Sequence, residues 1–194
     1  MHELWVFVER IDGACNSERP MGLGTGFLVR NGRITFPKGG PICLFALQSI
    51  LPMLPVKERV IDDDPQADWM ARVHHAQCPD PKGRTVWRIE QRPFGTTKLD
   101  PPALPEPTSG DLRIVVERID GRCLEGTRVG DWALVRGSSL YFPQSFCLYA
   151  LQAMLPMLPA MSRPLDPDDW MVTENAVVCP DPLGNVIMRI EKVS

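Results

Sequence analysis

The sequence predicts an α+β protein of two homologous units, each a small, mostly antiparallel sheet carrying one main helix, with the units related by a pseudo-twofold axis. Three observations lead there. First, the 194-residue chain repeats itself. Val8-Glu9-Arg10-Ile11-Asp12-Gly13 returns as Val116-Glu117-Arg118-Ile119-Asp120-Gly121, and Cys78-Pro79-Asp80-Pro81 returns as Cys179-Pro180-Asp181-Pro182. Second, segments in both copies alternate apolar and polar residues with period two, which marks strands. Third, one segment in each copy carries apolar residues at helical spacing. The repeat divides the chain into a first unit at 1–92, a proline-rich linker at 93–110 and a second unit at 111–194.

Each element can be justified by comparing the copies. In the first strand Leu4/Leu112, Val6/Ile114 and Val8/Val116 stay aliphatic while Trp5 becomes Arg113, so the aliphatic face is the core face. Asp12-Gly13 and Asp120-Gly121 then supply turn chemistry. A second strand, Gly26 to Arg30, matches Trp132 to Arg136, and a short extended piece, Ile34 to Phe36, matches Leu140 to Phe142. The helix follows, with Cys43, Leu47, Ile50, Leu51 and Leu54 on one face; its apolar character reaches far enough round to be covered by its own sheet and by the other unit. Pro52 removes a backbone donor and should end or kink that helix. The copies diverge over Val56 to Ala67 and Ala160 to Asp168, and they rejoin at Asp68-Trp69-Met70 and Asp169-Trp170-Met171, where aspartate reads as a cap. A third strand runs into Cys78/Cys179, and a fourth spans Thr85 to Glu90 and Val186 to Glu191.

The linker holds Pro93, Pro101, Pro102, Pro105 and Pro107, which makes it extended and semi-rigid. At ~3.1 Å per residue it permits either a side-by-side pair or two separate beads.

Composition narrows the function classes. Apolar content of 44% and charged content of 23% are those of a globular protein, and a net charge of −3 without a basic stripe argues against nucleic acid. The N-terminal Met1-His2-Glu3-Leu4-Trp5 has no basic region of the kind that opens a signal peptide, and no apolar run approaches the ~20 residues of a membrane span. The expected location is the cytoplasm, where thiols stay reduced, with no membrane partner.

All six cysteines fall at three matched positions: Cys15, Cys43 and Cys78, then Cys123, Cys147 and Cys179. The pattern Gly-x-Cys, a Cys-x-x-Ala-Leu helix and Cys-Pro-Asp-Pro resembles an uncharacterised small repeat family of bacteria and archaea with three cysteines per unit. The second copy fits through Gly121-Arg122-Cys123, Gly126, Gly130-Asp131, Cys147 to Leu151 and Cys179 to Pro182. The first departs over Met21 to Gly26, where the Gly-Asp element is missing, so a role for Asp131 is not shared. The resemblance implies no activity.

Three readings of the cysteines follow. Converging sulfurs could hold zinc or part of an iron–sulfur cluster, with the fourth position left to water, Asp80/Asp181 or a substrate. This makes the chain a non-catalytic binding or accessory protein for an unidentified protein or small-molecule partner. Alternatively Cys43 and Cys147, at a helix start that should lower their thiol pKa, serve as nucleophiles of a thiol-dependent enzyme. Lastly the cysteines only pack, in a structural interaction module, because free cysteine is among the most buried residue types and no Cys-x-x-Cys pair is present. His74 and His75 become Asn175 and Ala176, which removes histidine from any shared machinery. Arg88/Arg189 and Glu90/Glu191 are placed to pair with Glu9/Glu117 and Arg10/Arg118 across neighbouring strands.

Overall fold

The computed structural model describes residues 2–37, 41–59, 66, 68–99 and 103–194. Most of the divergent loop after the first helix (60–65 and 67) and residues 100–102 of the linker lie outside them.

The fold is α+β, with two six-stranded antiparallel sheets and short helices. In the first half the alternating segments fold as β1 (His2–Ile11), β2 (Gly26–Arg30), β3 (Arg33–Thr35), β5 (His75–Gln77) and β6 (Thr85–Pro93), with a two-residue strand β4 (Ile42–Cys43) before the helices. In the second half they fold as β7 (Leu112–Ile119), β8 (Trp132–Arg136), β9 (Ser139–Tyr141), β10 (Phe146–Cys147), β11 (Ala176–Val178) and β12 (Val186–Lys192). Leu4, Val6, Val8, Leu112, Ile114 and Val116 are all fully buried, so the period-two pattern identified the core face. The β1–β6 ladder shifts register between Val8 and Arg10, leaving Glu9 as an extra residue. The matching shift between β7 and β12 leaves Glu117 in the same role, a bulge that turns both carboxylates outward.

The apolar helix is broken where proline demands it. α1 (Leu44–Ile50) gives way to a 3-10 turn at Leu51–Met53, with Pro52 at its start, and resumes as α2 (Leu54–Glu58). In the second half α3 (Leu148–Met154) and α4 (Leu158–Met161) are separated in the same way around Pro156, and α5 (Trp170–Thr173) follows. Asp68 and Asp169 cap the short helices at Trp69 and Trp170 by accepting the N–H of Met70 and Met171, at 2.8 and 2.9 Å.

The halves are joined through the edges of their sheets. Sheet order is β10-β3-β2-β1-β6-β5 and β11-β12-β7-β8-β9-β4, so each half lends its two-residue strand to the edge of the other sheet. Ile42 and Cys43 pair with Leu140 and Ser139; Phe146 and Cys147 pair with Ile34 and Arg33. The exchange continues into the helices, where the N–H of Leu44 donates to the Ser138 carbonyl at 2.8 Å and that of Leu148 to the Gly32 carbonyl at 2.9 Å. Behind these strands lies one continuous hydrophobic core fed by both sheets. An aromatic column, Phe27-Phe36-Phe142-Phe146, crosses the junction; Phe36 and Phe142 stack with centroids 5.0 Å apart and planes 4° from parallel. Two separate beads on a string are therefore excluded.

Both ends of the linker are fastened by a buried acid. Glu3, with no exposed surface, accepts from Arg30 Nη2 at 2.6 Å, the Gly95 N–H at 2.8 Å and the Thr97 N–H at 2.7 Å. At the matched position Asp111 accepts from Arg136 Nη2 at 2.6 Å and the Thr108 N–H at 2.8 Å, while Arg136 also donates to the Glu106 carbonyl. Among the described residues no helix is long and apolar enough to cross a membrane.

Candidate functional site

Three segments far apart in the chain bring Cys15, Cys43 and Cys78 to one place. Cys43 ends β4 and stands, in extended conformation, immediately before α1. Cys78 follows β5, and its N–H donates to the Thr85 carbonyl at 2.9 Å. Cys15 lies in the loop after β1, and the position of that loop depends on glycine. A Cβ added to Gly13 would fall 1.9 Å from the Lys82 carbonyl oxygen, and one added to Gly83 would fall 2.7 Å from the Asp80 carboxylate and 3.1 Å from Cys15 Cα. Gly121 and Gly184 stand in the same relation to Leu183, Asp181 and Cys123, at 2.0, 2.7 and 3.4 Å. Gly-x-Cys and Cys-Pro-Asp-Pro are thus two halves of one contact: the glycines let the backbones touch, and the touching places the cysteines. Because the obstacle at Gly13 is backbone, Gly13→Ala should destabilise the chain by about 3 kcal/mol, the upper end for overpacking. Urea denaturation measures this, and a loss below about 1 kcal/mol would show that the loop moves aside freely.

Asp80 acts as the lock of this contact. Its carboxylate accepts from the backbone N–H of Asn16 at 3.2 Å and of Lys82 at 3.0 Å, and the amides of Lys82 and Asn16 hold its pKa below the usual carboxylate range. Asp181 accepts the Leu183 N–H at 3.0 Å in the same turn. The turn reading of Cys-Pro-Asp-Pro is the one realised, with the added function of tying the Cys15 loop beside Cys78.

The three thiols line a cavity of about 390 Å³, open to solvent, together with Asn16, Ser17, Phe45, Asp80 and Ser138. Ser138 comes from the second half, and its hydroxyl lies 3.0 Å from that of Ser17, so the wall is completed across the junction. The same three cysteines also border a second, smaller recess of about 10 Å³, shared with Trp87, Met21, Ala46 and Thr85. Trp87 is fully buried, and its indole N–H finds no partner among the described residues. Cys15 is half-buried and receives the Ser17 N–H at 3.4 Å, whereas Cys43 and Cys78 are buried.

In the second half Cys147 and Cys179 are buried and Cys123 is half-buried. Cys179 feels Cys123, and Cys147 feels Cys179, which places this trio in one neighbourhood as well. Its surroundings differ: Glu125 stands where the first loop has Ser17, and its carboxylate acts on both Cys147 and Cys179. Met188 stands where the first half has Trp87.

Electrostatics corrects one expectation. The helix start was expected to lower the thiol pKa of Cys147; instead burial pushes it up to about 11, against the opposing pull of the Ala150 and Tyr149 amides. Desolvating a thiolate costs more than the end of a seven-residue helix returns. Burial also raises Cys78 and Cys179. All six cysteines are free thiols. Among the described residues no group of three or more His, Cys, Asp or Glu side chains is arranged to hold a metal ion as it stands.

The remaining candidates are structural. His75 bonds to Glu9 at 2.9 Å and both histidines are exposed, away from the cavity walls. Arg88 pairs with Glu9 at 3.0 Å and Arg189 with Glu117 at 2.7 Å, as the strand spacing suggests. Arg10 and Arg118 instead turn to Asp12 and Asp120, two residues along, at 2.8 and 2.7 Å. Asp131 is occupied by the Arg128 amide and the Gln144 side chain. Sequence reasoning missed the Ser17–Ser138 contact, the orphan indole of Trp87 and the Glu3 and Asp111 fasteners; for the last, the repeat of acid-Leu at 3–4 and 111–112 with Arg30/Arg136 was the available signal. No protein-family model, curated protein or solved structure matches the chain.

Proposed function

We propose that the protein is a non-catalytic binding or accessory protein whose ligand is a soft, thiolate-seeking cation, zinc or the iron of a cluster. Cys15, Cys43 and Cys78 would take it up, and Cys123, Cys147 and Cys179 in the matched place. The halves are read here as copies of one unit about a pseudo-twofold axis, at 1–92 and 111–194, akin to the three-cysteine repeat family and at work in the cytoplasm. The observation that carries the proposal is that three thiols from three separate segments share one solvent-open cavity. Since the sulfurs are not at ligating spacing as they stand, uptake must draw them together. It must also displace protons that burial holds on Cys78, Cys147 and Cys179.

Zinc uptake is therefore expected to release protons and to strengthen as pH rises from 6 to 8. Anaerobic purification with metal analysis, followed by Zn²⁺ titration in weak buffer with a pH indicator, tests this. Metal-free, colourless protein that stays folded and takes up no Zn²⁺ would overturn it. That outcome would leave the packing reading, which the burial of Cys43, Cys78, Cys147 and Cys179 favours. The enzyme reading is the weaker rival, because burial holds the proton on Cys147, one of its two nucleophiles, and a protonated thiol is a poor nucleophile.

A further inference from the structure

We propose that the first triad is also an oxidation site, at which a hydroperoxide converts Cys15 to a sulfenic acid and Cys78 closes a Cys15–Cys78 disulfide. Three features of the geometry converge on it. Cys15 is the half-buried member of the triad and lines the solvent-open cavity, so a small peroxide meets it there. The Ser17 N–H donates to Cys15 Sγ at 3.4 Å and so fixes the sulfur at the cavity wall. The sulfurs also border a second, small recess of about 10 Å³ lined by Trp87, whose buried indole N–H finds no partner among the described residues. An oxygen on Cys15 turned into that recess is proposed to take this donor.

Cys78 is the resolving thiol because its turn is tied to the Cys15 loop by the Asp80 carboxylate on the Asn16 N–H and by the close pass of Gly83. In the first step Cys15 sulfur attacks the terminal oxygen of the hydroperoxide; the O–O bond breaks, the S–O bond forms, and the alcohol or water departs with the thiol proton. In the second step Cys78 sulfur attacks Cys15 sulfur; the S–S bond forms, the S–O bond breaks, and water leaves carrying the Cys78 proton. Two thiols are oxidised and one peroxide is reduced.

The second triad has Met188 in place of Trp87 and Glu125 in place of Ser17, so it lacks the indole donor. It serves as an internal comparison within the same molecule. This inference does not depend on metal uptake, and metal-free chain is the sample that tests it. Native protein is treated with one equivalent of hydrogen peroxide, alkylated without reduction and mapped by mass spectrometry. The expected result is a Cys15–Cys78 linked peptide, two hydrogens lighter than its parts, appearing before any bond among Cys123, Cys147 and Cys179. Cys78→Ser should leave a sulfenic acid on Cys15 that a dimedone reagent traps, and Trp87→Phe should slow bridge formation. Sulfinic or sulfonic acid on Cys15 without a bridge, a bridge to Cys43 instead, or equal rates in the two triads would overturn the proposal. Mapping of the unmodified chain gives that answer even where a variant fails to fold.

Discussion

Phe142→Ala is expected to destabilise the chain by about 3–5 kcal/mol and to do so in both halves at once. Phe142 is fully buried between Phe36 of the first half and Phe146 of the second, with ring centroids 5.0 and 5.4 Å away. Truncation removes the transfer energy of a whole ring and leaves a hole that the backbone cannot collapse into, because strands borrowed from opposite halves hold its walls. The hole also ends the stack that joins the two sheets. Urea unfolding followed by tryptophan fluorescence should therefore show a single transition at lower midpoint, since Trp87 in the core of the first half and the half-buried Trp132 of the second report on different halves. Two resolved transitions, or a loss confined to one half, would mean that the halves fold independently.

Glu3→Gln is the second large effect, expected to cost about 3 kcal/mol at neutral pH. Burial alone would raise the Glu3 pKa, but hydrogen bonds from Thr97, Arg30 and Gly95 outweigh it and hold the carboxyl at about 2. The amide keeps the shape and loses the charge, leaving Arg30 without its counterion and placing an NH₂ group among donors. The pH dependence follows from the sign of the shift. A carboxyl held below its unfolded value of 4.5 stabilises the fold fully above that value and loses its contribution as pH falls toward 2. Asp111, held low mainly by its Arg136 hydrogen bonds, works in the same direction. The wild-type melting temperature should thus fall steeply between about pH 4.5 and 2, and Glu3→Gln should flatten part of that slope. Parallel curves for the two proteins would show that Glu3 is not the acid-sensitive fastener.

Much of the fold could be read in the residues, and the reason is physical. Leu4, Val6 and Val8 alternate because one sheet face is buried, and the helix breaks at Pro52 because proline lacks the N–H that the next turn needs. Asp80 sits between two prolines, so its carboxylate was already aimed at backbone amides. Other features left no local trace. β4 and β10 are two residues long, too short for any period, and each runs directly into a helix whose pattern absorbs it. The backbone donors that hold Glu3 lie more than ninety positions along the chain, in a segment whose prolines suggested a plain tether. The convergence of three cysteines was anticipated, while the protonation of Cys147 was not, because burial depends on tertiary packing and the helix start is visible in sequence.

The exchanged edge strands bear on how the protein is made. Emerging from the ribosome, the first half has the outer rim of β3 bare and its Ile42-Cys43 arm without a seat, since both mates lie about a hundred residues downstream. Its sheet, its share of the aromatic column and the wall that Ser138 gives the thiol cavity are completed only after residue 147 has been synthesised. Until then the nascent half exposes an adhesive rim of the kind that pairs with strangers. Once that stretch is made, the Glu3 and Asp111 fasteners hold the ends of the connector against the two sheets.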